Sequence, residues 1–195
     1  MNGTLDPIST GYWNDQNDVM REYPINYLDE LGGQSSFFTK RFKNYTSFSY
    51  VSIEDMLDST MMNRIDYTFH VNTTSSYILW NNEDKFEWEK LPRFAQVSPI
   101  KKMIVRDFNN DTYPDVILAG NDHTYDISTG YYDANKGLIL MSKENQPLSD
   151  LKTPSQTGLM LQGMVESLLY FDGDTSLIIA GFNKNKAEAF KRINR

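Results

Sequence analysis

Four oxygen-bearing side chains in one short stretch could act together on a ligand. In DFNNDTYPD, residues 107–115, Asp107, Asn109, Asp111 and Asp115 stand at positions 1, 3, 5 and 9. Every second residue of a tight loop can face inward, so these oxygens can converge on one point. A hard cation such as Ca²⁺ needs an all-oxygen cage, completed by a backbone carbonyl and water. Tyr113, at position 7, is placed to give that carbonyl, and Pro114 stiffens the exit. Position 6 of such loops is usually glycine because the chain turns left-handed there. Here it is Thr112, and a β-branched residue resists positive φ. The expectation is a distorted turn or a weak site. The alternative is an ordinary inter-strand turn, since Asp and Asn favour turns without any metal.

A second group of reactive side chains follows in the polar loop 121–136. It contains His123, Tyr125, Asp126, Tyr131, Tyr132 and Asp133. Tyrosines joined to carboxylates can recognise a sugar or a protein partner, and His123 with Asp126 could exchange protons. The other reading is a solvated loop between strands. His70, the second of only two histidines, lies in an alternating stretch and reads as a packed or edge residue. No nucleophile motif, phosphate loop or metal-hydrolase spacing accompanies these residues, so the chain reads as non-catalytic. The absence of cysteine excludes disulfides, thiolate zinc sites and a cysteine nucleophile. Sequons at Asn2, Asn44, Asn72 and Asn110 are ordinary in a chain so rich in Asn and Thr.

The elements that must hold these loops are mostly strands. Residues 101–106 and 115–120 flank the oxygen-rich loop as apolar runs. Residues 7–13, 67–71, 75–80, 86–91, 137–142, 164–171 and 175–181 carry further strand signals. Asn81–Lys85 and Asp172-Gly173 read as hairpin turns. Residues 187–193 fit a strand or a short helix. Between residues 14 and 63 the character turns polar, aromatic and weakly helical. Short helices are expected at Asp29–Leu31, ended by Gly32-Gly33, at Ser35–Phe42, and at Ile53–Leu57 behind Ser52. This pattern predicts a mainly β, antiparallel protein with a small helical insertion at 14–63.

The loop DFNNDTYPDVILAGN resembles the FG-GAP/VCBS repeat, whose oxygen-rich loop sits between strands of a β-propeller blade. FAQVSPI before it, then LAGN and GYYDANKGLIL after it, resemble a blade of the ASPIC/UnbV type. REYPINYLDEL, KRFKNYTSF, SIEDML and VNTTSSYILWNNEDKFEWEKLP resemble the segment that precedes such a blade. GMVESLLYFDGDTSLIIAGFNKNKAEAF is similar to the blade that follows. The resemblance implies a partial propeller of about two to three blades across residues 1–195, and an exported location. Asn2-Gly3-Thr4-Leu5-Asp6-Pro7 resembles the second half of another such loop, so the chain reads as a C-terminal fragment lacking earlier blades and a leader. An incomplete ring leaves open strand edges, which predicts either edge-to-edge self-association or cover from the 14–63 insertion.

Charge and composition narrow the partners. A formal net charge of −7 argues against nucleic acid, which demands a basic face. No apolar run approaches a membrane span. Aromatics at 13% suit strands, and nine methionines read as core filler. Two functions remain open. One is a non-catalytic, calcium-stabilised module that binds protein or glycan at the envelope or outside the cell. The other is part of an exported, lyase-like propeller enzyme acting on polysaccharide, which would need a groove of converging Arg, Lys, His or Tyr.

Overall fold

The computed structural model describes residues 6–125, 130–144, 146–173, 175–191 and 193. The protein is mainly β, with several small antiparallel sheets and short helices. It divides into two compact units, Met1–Val71 and Asn72–Arg195. A propeller is not formed among the described residues.

In the first unit, β1 (Thr10–Asn14) and β2 (Met20–Pro24) form an antiparallel hairpin with Trp13 opposite Arg21. Five short helices follow: α1 (Leu28–Gln34), α2 (Ser36–Arg41), α3 (Tyr45–Phe48), α4 (Ile53–Met56) and α5 (Ser59–Met62). Each is too short to persist alone, so caps and packing hold them. Ser35, Asn44, Ser52 and Asp58 each accept a backbone N–H at an N-cap. Leu28, Leu31, Phe38, Phe48, Ile53, Met56 and Leu57 then close one apolar core. The helix expected to stop at Gly32-Gly33 instead runs through both glycines. At Gly32 a Cβ would meet Thr39 Cγ2 at 2.5 Å, so the glycine serves close packing of α1 on α2 rather than termination.

In the second unit, β3 (Tyr77–Asn82) and β4 (Lys85–Lys90) form a hairpin, and a 3₁₀ turn follows at Arg93–Gln96. Then β5 (Ile100–Arg106), β6 (Asp115–Gly120), β7 (Leu138–Lys143) and β8 (Gln146–Lys152) make a four-stranded antiparallel sheet in chain order. After α6 (Pro154–Thr157), β9 (Val165–Phe171), β10 (Leu177–Phe182) and β11 (Glu188–Lys191) form a three-stranded sheet, also in chain order. All of β6 is buried, as expected of an apolar run covered on both faces. Ile117, Ala119 and Ile104 pack against Leu168, Ala180 and Phe182 of the three-stranded sheet. Val116 and Leu118 point the other way and pack with Leu91, Ala95, Leu138 and Leu140.

Two differences from the sequence reading have clear causes. Residues 67–71 form no strand, and Tyr67, Phe69 and Val71 are exposed; alternation buries nothing without a partner strand. The edge strand β8 was not expected, because Pro147 breaks its pattern. An edge tolerates a residue without an N–H.

Candidate metal loop and aromatic loop

The loop of interest joins β5 to β6, whose register brings Arg106 opposite Asp115. Phe108 turns into the apolar core and meets Tyr170 edge-on at 5.7 Å, which pins the loop's first turn. Arg106 lies 4.5 Å over the same tyrosine ring and pairs with Asp172. The start of the loop is therefore anchored on both sides of Asp107.

Inside it, Asp107 acts as the hub. Its Oδ1 accepts the N–H groups of Asn109 (3.2 Å), Asn110 (2.7 Å) and Asp111 (3.2 Å), and its Oδ2 accepts that of Thr112 (2.8 Å). Burial, the largest single influence, pushes the Asp107 carboxyl up. The four N–H groups together outweigh it and hold the pKa below the ordinary range. Asp111 Oδ1 accepts the Tyr113 N–H at 2.9 Å, and Asp111 Oδ2 accepts the Asn109 carboxamide at 2.7 Å. Thr112, which the sequence places awkwardly, does adopt the left-handed turn at φ +76°, as does Asn110 at +63°.

Asp115 is committed elsewhere. It is fully buried, with Oδ2 accepting the Phe108 N–H at 2.9 Å and Oδ1 the Ser142 N–H at 2.8 Å. The donor set of Asp107, Asn109, Asp111, Asp115 and the Tyr113 carbonyl is all oxygen, the chemistry that calcium takes. Each carboxylate oxygen offers about two lone pairs, and Asp107 Oδ2 and both Asp111 oxygens spend only one on the bonds above. Among the described residues no three acidic or histidine side chains are drawn together tightly enough to hold a metal. The donor chemistry is of the kind that calcium takes, and the three carboxylates are spread along the loop rather than gathered at one point.

The aromatic loop is gathered by a bridge between Asp122 and Tyr132. His123 stacks on Tyr131 with ring centres 4.5 Å apart, and Tyr125 meets Tyr132 edge-on at 4.7 Å. Tyr125, Tyr131 and Asp133 are exposed, and Tyr132 is more than one-third exposed. His123 Nε2 is shut from solvent and has no hydrogen-bond partner among the described residues. Asp126, the acid expected beside it, lies outside the described residues. What the loop presents is aromatic surface.

Several organising residues escaped the sequence reading. Asn121, buried at φ +78°, donates to the carbonyls of Asn135 (2.7 Å) and Gly163 (2.8 Å) and accepts the Asn135 N–H (2.9 Å). Gly120 beside it leaves room for the Pro99 carbonyl, which a Cβ would meet at 1.8 Å. Asp122 pairs with Lys101 at 2.9 Å. The signal available was LAGN itself: a glycine and a turn-forming asparagine directly after a buried strand. Comparison of the chain with models of protein families, with curated proteins and with solved structures finds no match.

Proposed function

We propose that this chain is a non-catalytic segment of an FG-GAP/VCBS-like β-propeller protein, of the ASPIC/UnbV type, acting in protein or glycan recognition at the cell envelope or outside the cell. In this reading β5–β8 is one blade, β9–β11 belongs to the next, and residues 14–63 are an insertion. The support is that both sheets run in chain order and pack face to face through Ile104, Ile117, Leu168 and Ala180. Propellers are built of such sequential antiparallel units.

The observation that carries the reading is the left-handed backbone of Asn110 and Thr112 around the Asp107 carboxylate. A β-branched residue in that conformation is strained by about 1–2 kcal/mol. Such strain persists where surrounding contacts hold it, here the Asp107 carboxylate on the Thr112 N–H, and it is concentrated at ligand clamps. Asp107, Asn109, Asp111, Asp115 and the Tyr113 carbonyl would hold calcium, whose charge would offset repulsion among the three carboxylates. Such extracellular sites bind calcium with dissociation constants on the order of 10⁻⁴–10⁻³ M. At about 1–2 mM calcium the gain is then roughly 0.5–2 kcal/mol by mass action, a structural rather than catalytic contribution.

Thermal unfolding followed across a calcium titration tests this in the wild type and in Asp111→Ala. The expected result is a calcium-dependent rise in Tm for the wild type that the variant lacks, with magnesium substituting poorly. An equal response in both proteins, or none in the wild type, would leave residues 107–115 as a turn only.

A further inference from the structure

The first unit carries a cleft that takes no part in the reading above. It is an open cavity of about 550 Å³ between the β1–β2 hairpin and the α3–α4 region. Its floor is aromatic. Trp13 stacks on Tyr23 with ring centres 4.8 Å apart and planes 10° from parallel, yet the residue remains 45% exposed. Gly11, two residues before it on the same face, permits this pose. A Cβ there would come within 3.0 Å of Trp13 Cζ3. Tyr50, 68% exposed, stands on the opposite wall.

The polar groups around this floor are planar and oriented. Arg21, cross-strand from Trp13, holds Asp15 at 3.1 Å and lies 4.0 Å from Asp55. Asp15 is fixed in turn by the N–H groups of Val19 and Asn17, and the Val19 bond leads in holding its pKa below the ordinary range. Asp55 is fixed by the Ser52 hydroxyl. Gln16 and Asn17 complete the lining.

The charge balance decides which ligand class fits. Among the residues that line the cleft, Arg21 is engaged by two carboxylates, Asp15 and Asp55, so the lining disfavours phosphate, sulfate or uronate. Arg41, which donates to the Asp55 carbonyl, lies outside the lining. A neutral sugar ring has the complementary form. Its axial C–H hydrogens carry slight positive charge and lie against the negative face of an aromatic ring. Its equatorial hydroxyls project sideways, where carboxylate, carboxamide and guanidinium groups both donate and accept. The volume is in the range of small-ligand pockets, about 300–1,000 Å³. We infer that the cleft beside Trp13 and Tyr50 is a binding site for a neutral saccharide. The site lies wholly within the first unit, so it stands independently of the calcium loop.

Affinity gel electrophoresis against immobilised polysaccharides tests this with the whole chain. The neutral probes are laminarin, galactomannan and xylan; the acidic probes are alginate, pectate and heparin. The expected result is retardation by at least one neutral probe and none by the acidic ones. Trp13→Ala should weaken that binding about tenfold or more, the weight of one aromatic contact together with its buried area. Tyr50→Ala covers the case in which Trp13→Ala disturbs the hairpin, and it should weaken binding several-fold with an unchanged melting temperature. Trp88→Ala, an exposed aromatic of β4 in the second unit, should bind as the wild type does. No neutral probe bound, a preference for acidic probes, or binding lost in Tyr131→Ala but kept in both Trp13→Ala and Tyr50→Ala would each overturn the assignment.

Discussion

The Asp115 carboxylate accepts the backbone N–H of Ser142 at 2.8 Å across 27 residues of sequence. Ser142 stands at the register shift between Met141 and Lys143 in the β7–β8 pairing. Its hydroxyl donates to the Pro114 carbonyl and accepts the Leu148 N–H. One buried carboxylate thereby ties the end of the oxygen-rich loop to two further strands. A bulge that interrupts a ladder leaves backbone groups to satisfy, and Asp115 satisfies one of them.

Asp115→Ala removes the acceptor for two N–H groups, those of Phe108 and Ser142. An unsatisfied buried donor costs about 1–3 kcal/mol, so the expected loss for two is roughly 2–6 kcal/mol. Urea unfolding without calcium measures it. A loss below about 1 kcal/mol would mean that water replaces the carboxylate at no cost. The loss should persist in chelator, which separates this structural role from that of Asp111.

Thr112→Gly weighs two opposed effects. Relief of the left-handed strain at φ +76° is worth about 1–2 kcal/mol, and the added freedom of the unfolded chain costs about 0.5–1 kcal/mol. The net expectation is a gain of about 0.5–1 kcal/mol, seen as a higher Tm even in chelator. Calcium should then bind more tightly than in the wild type. A lower Tm would assign a stabilising contact to the exposed threonine side chain.

Asp122 makes stability depend on acid. The Thr124 hydroxyl leads, and Lys101 follows, in holding its pKa down to about 2. An unfolded aspartate titrates at about 3.9. The folded protein therefore binds this proton less readily than the unfolded chain does. The stabilisation is present above about pH 4 and is lost as pH falls toward 2. Carbon-detected titration of the Asp122 carboxyl should give a midpoint near 2. Lys101→Met should raise that midpoint while leaving it below 3.9, because Thr124 remains. An ordinary midpoint in the wild type would show that the pair does not persist in solution.

Tyr131 rests on His123 but is 70% exposed. Tyr131→Ala should therefore cost less than about 1 kcal/mol, the weight of one exposed aromatic pair. Thermal unfolding checks this. A loss of several kcal/mol would make the stack part of the core rather than a presented surface.

The sequence by itself determined the strands that carry their own pattern. The run at 115–120 was legible because its apolar residues are bounded by aspartate and glycine-asparagine. Asp172-Gly173 was legible as the turn between β9 and β10 for its composition alone. The helix start at Ser52 was legible because a serine cap acts within three residues, and the helix after Ser35 was legible from the spacing of Phe37, Phe38 and Phe42. The candidate loop was legible as a spacing of oxygens, and its anchoring was not. Tertiary structure alone decided that Asp115 turns inward to Ser142, that Gly120 makes room for Pro99, and that Asn121 joins Asn135 to Gly163. It also drew Trp13, Arg21 and Tyr50 around one cleft. Local chemistry fixes which turn a short segment prefers. Where a buried polar group finds its partner depends on which distant backbone is brought beside it, and no pattern along the chain carries that information.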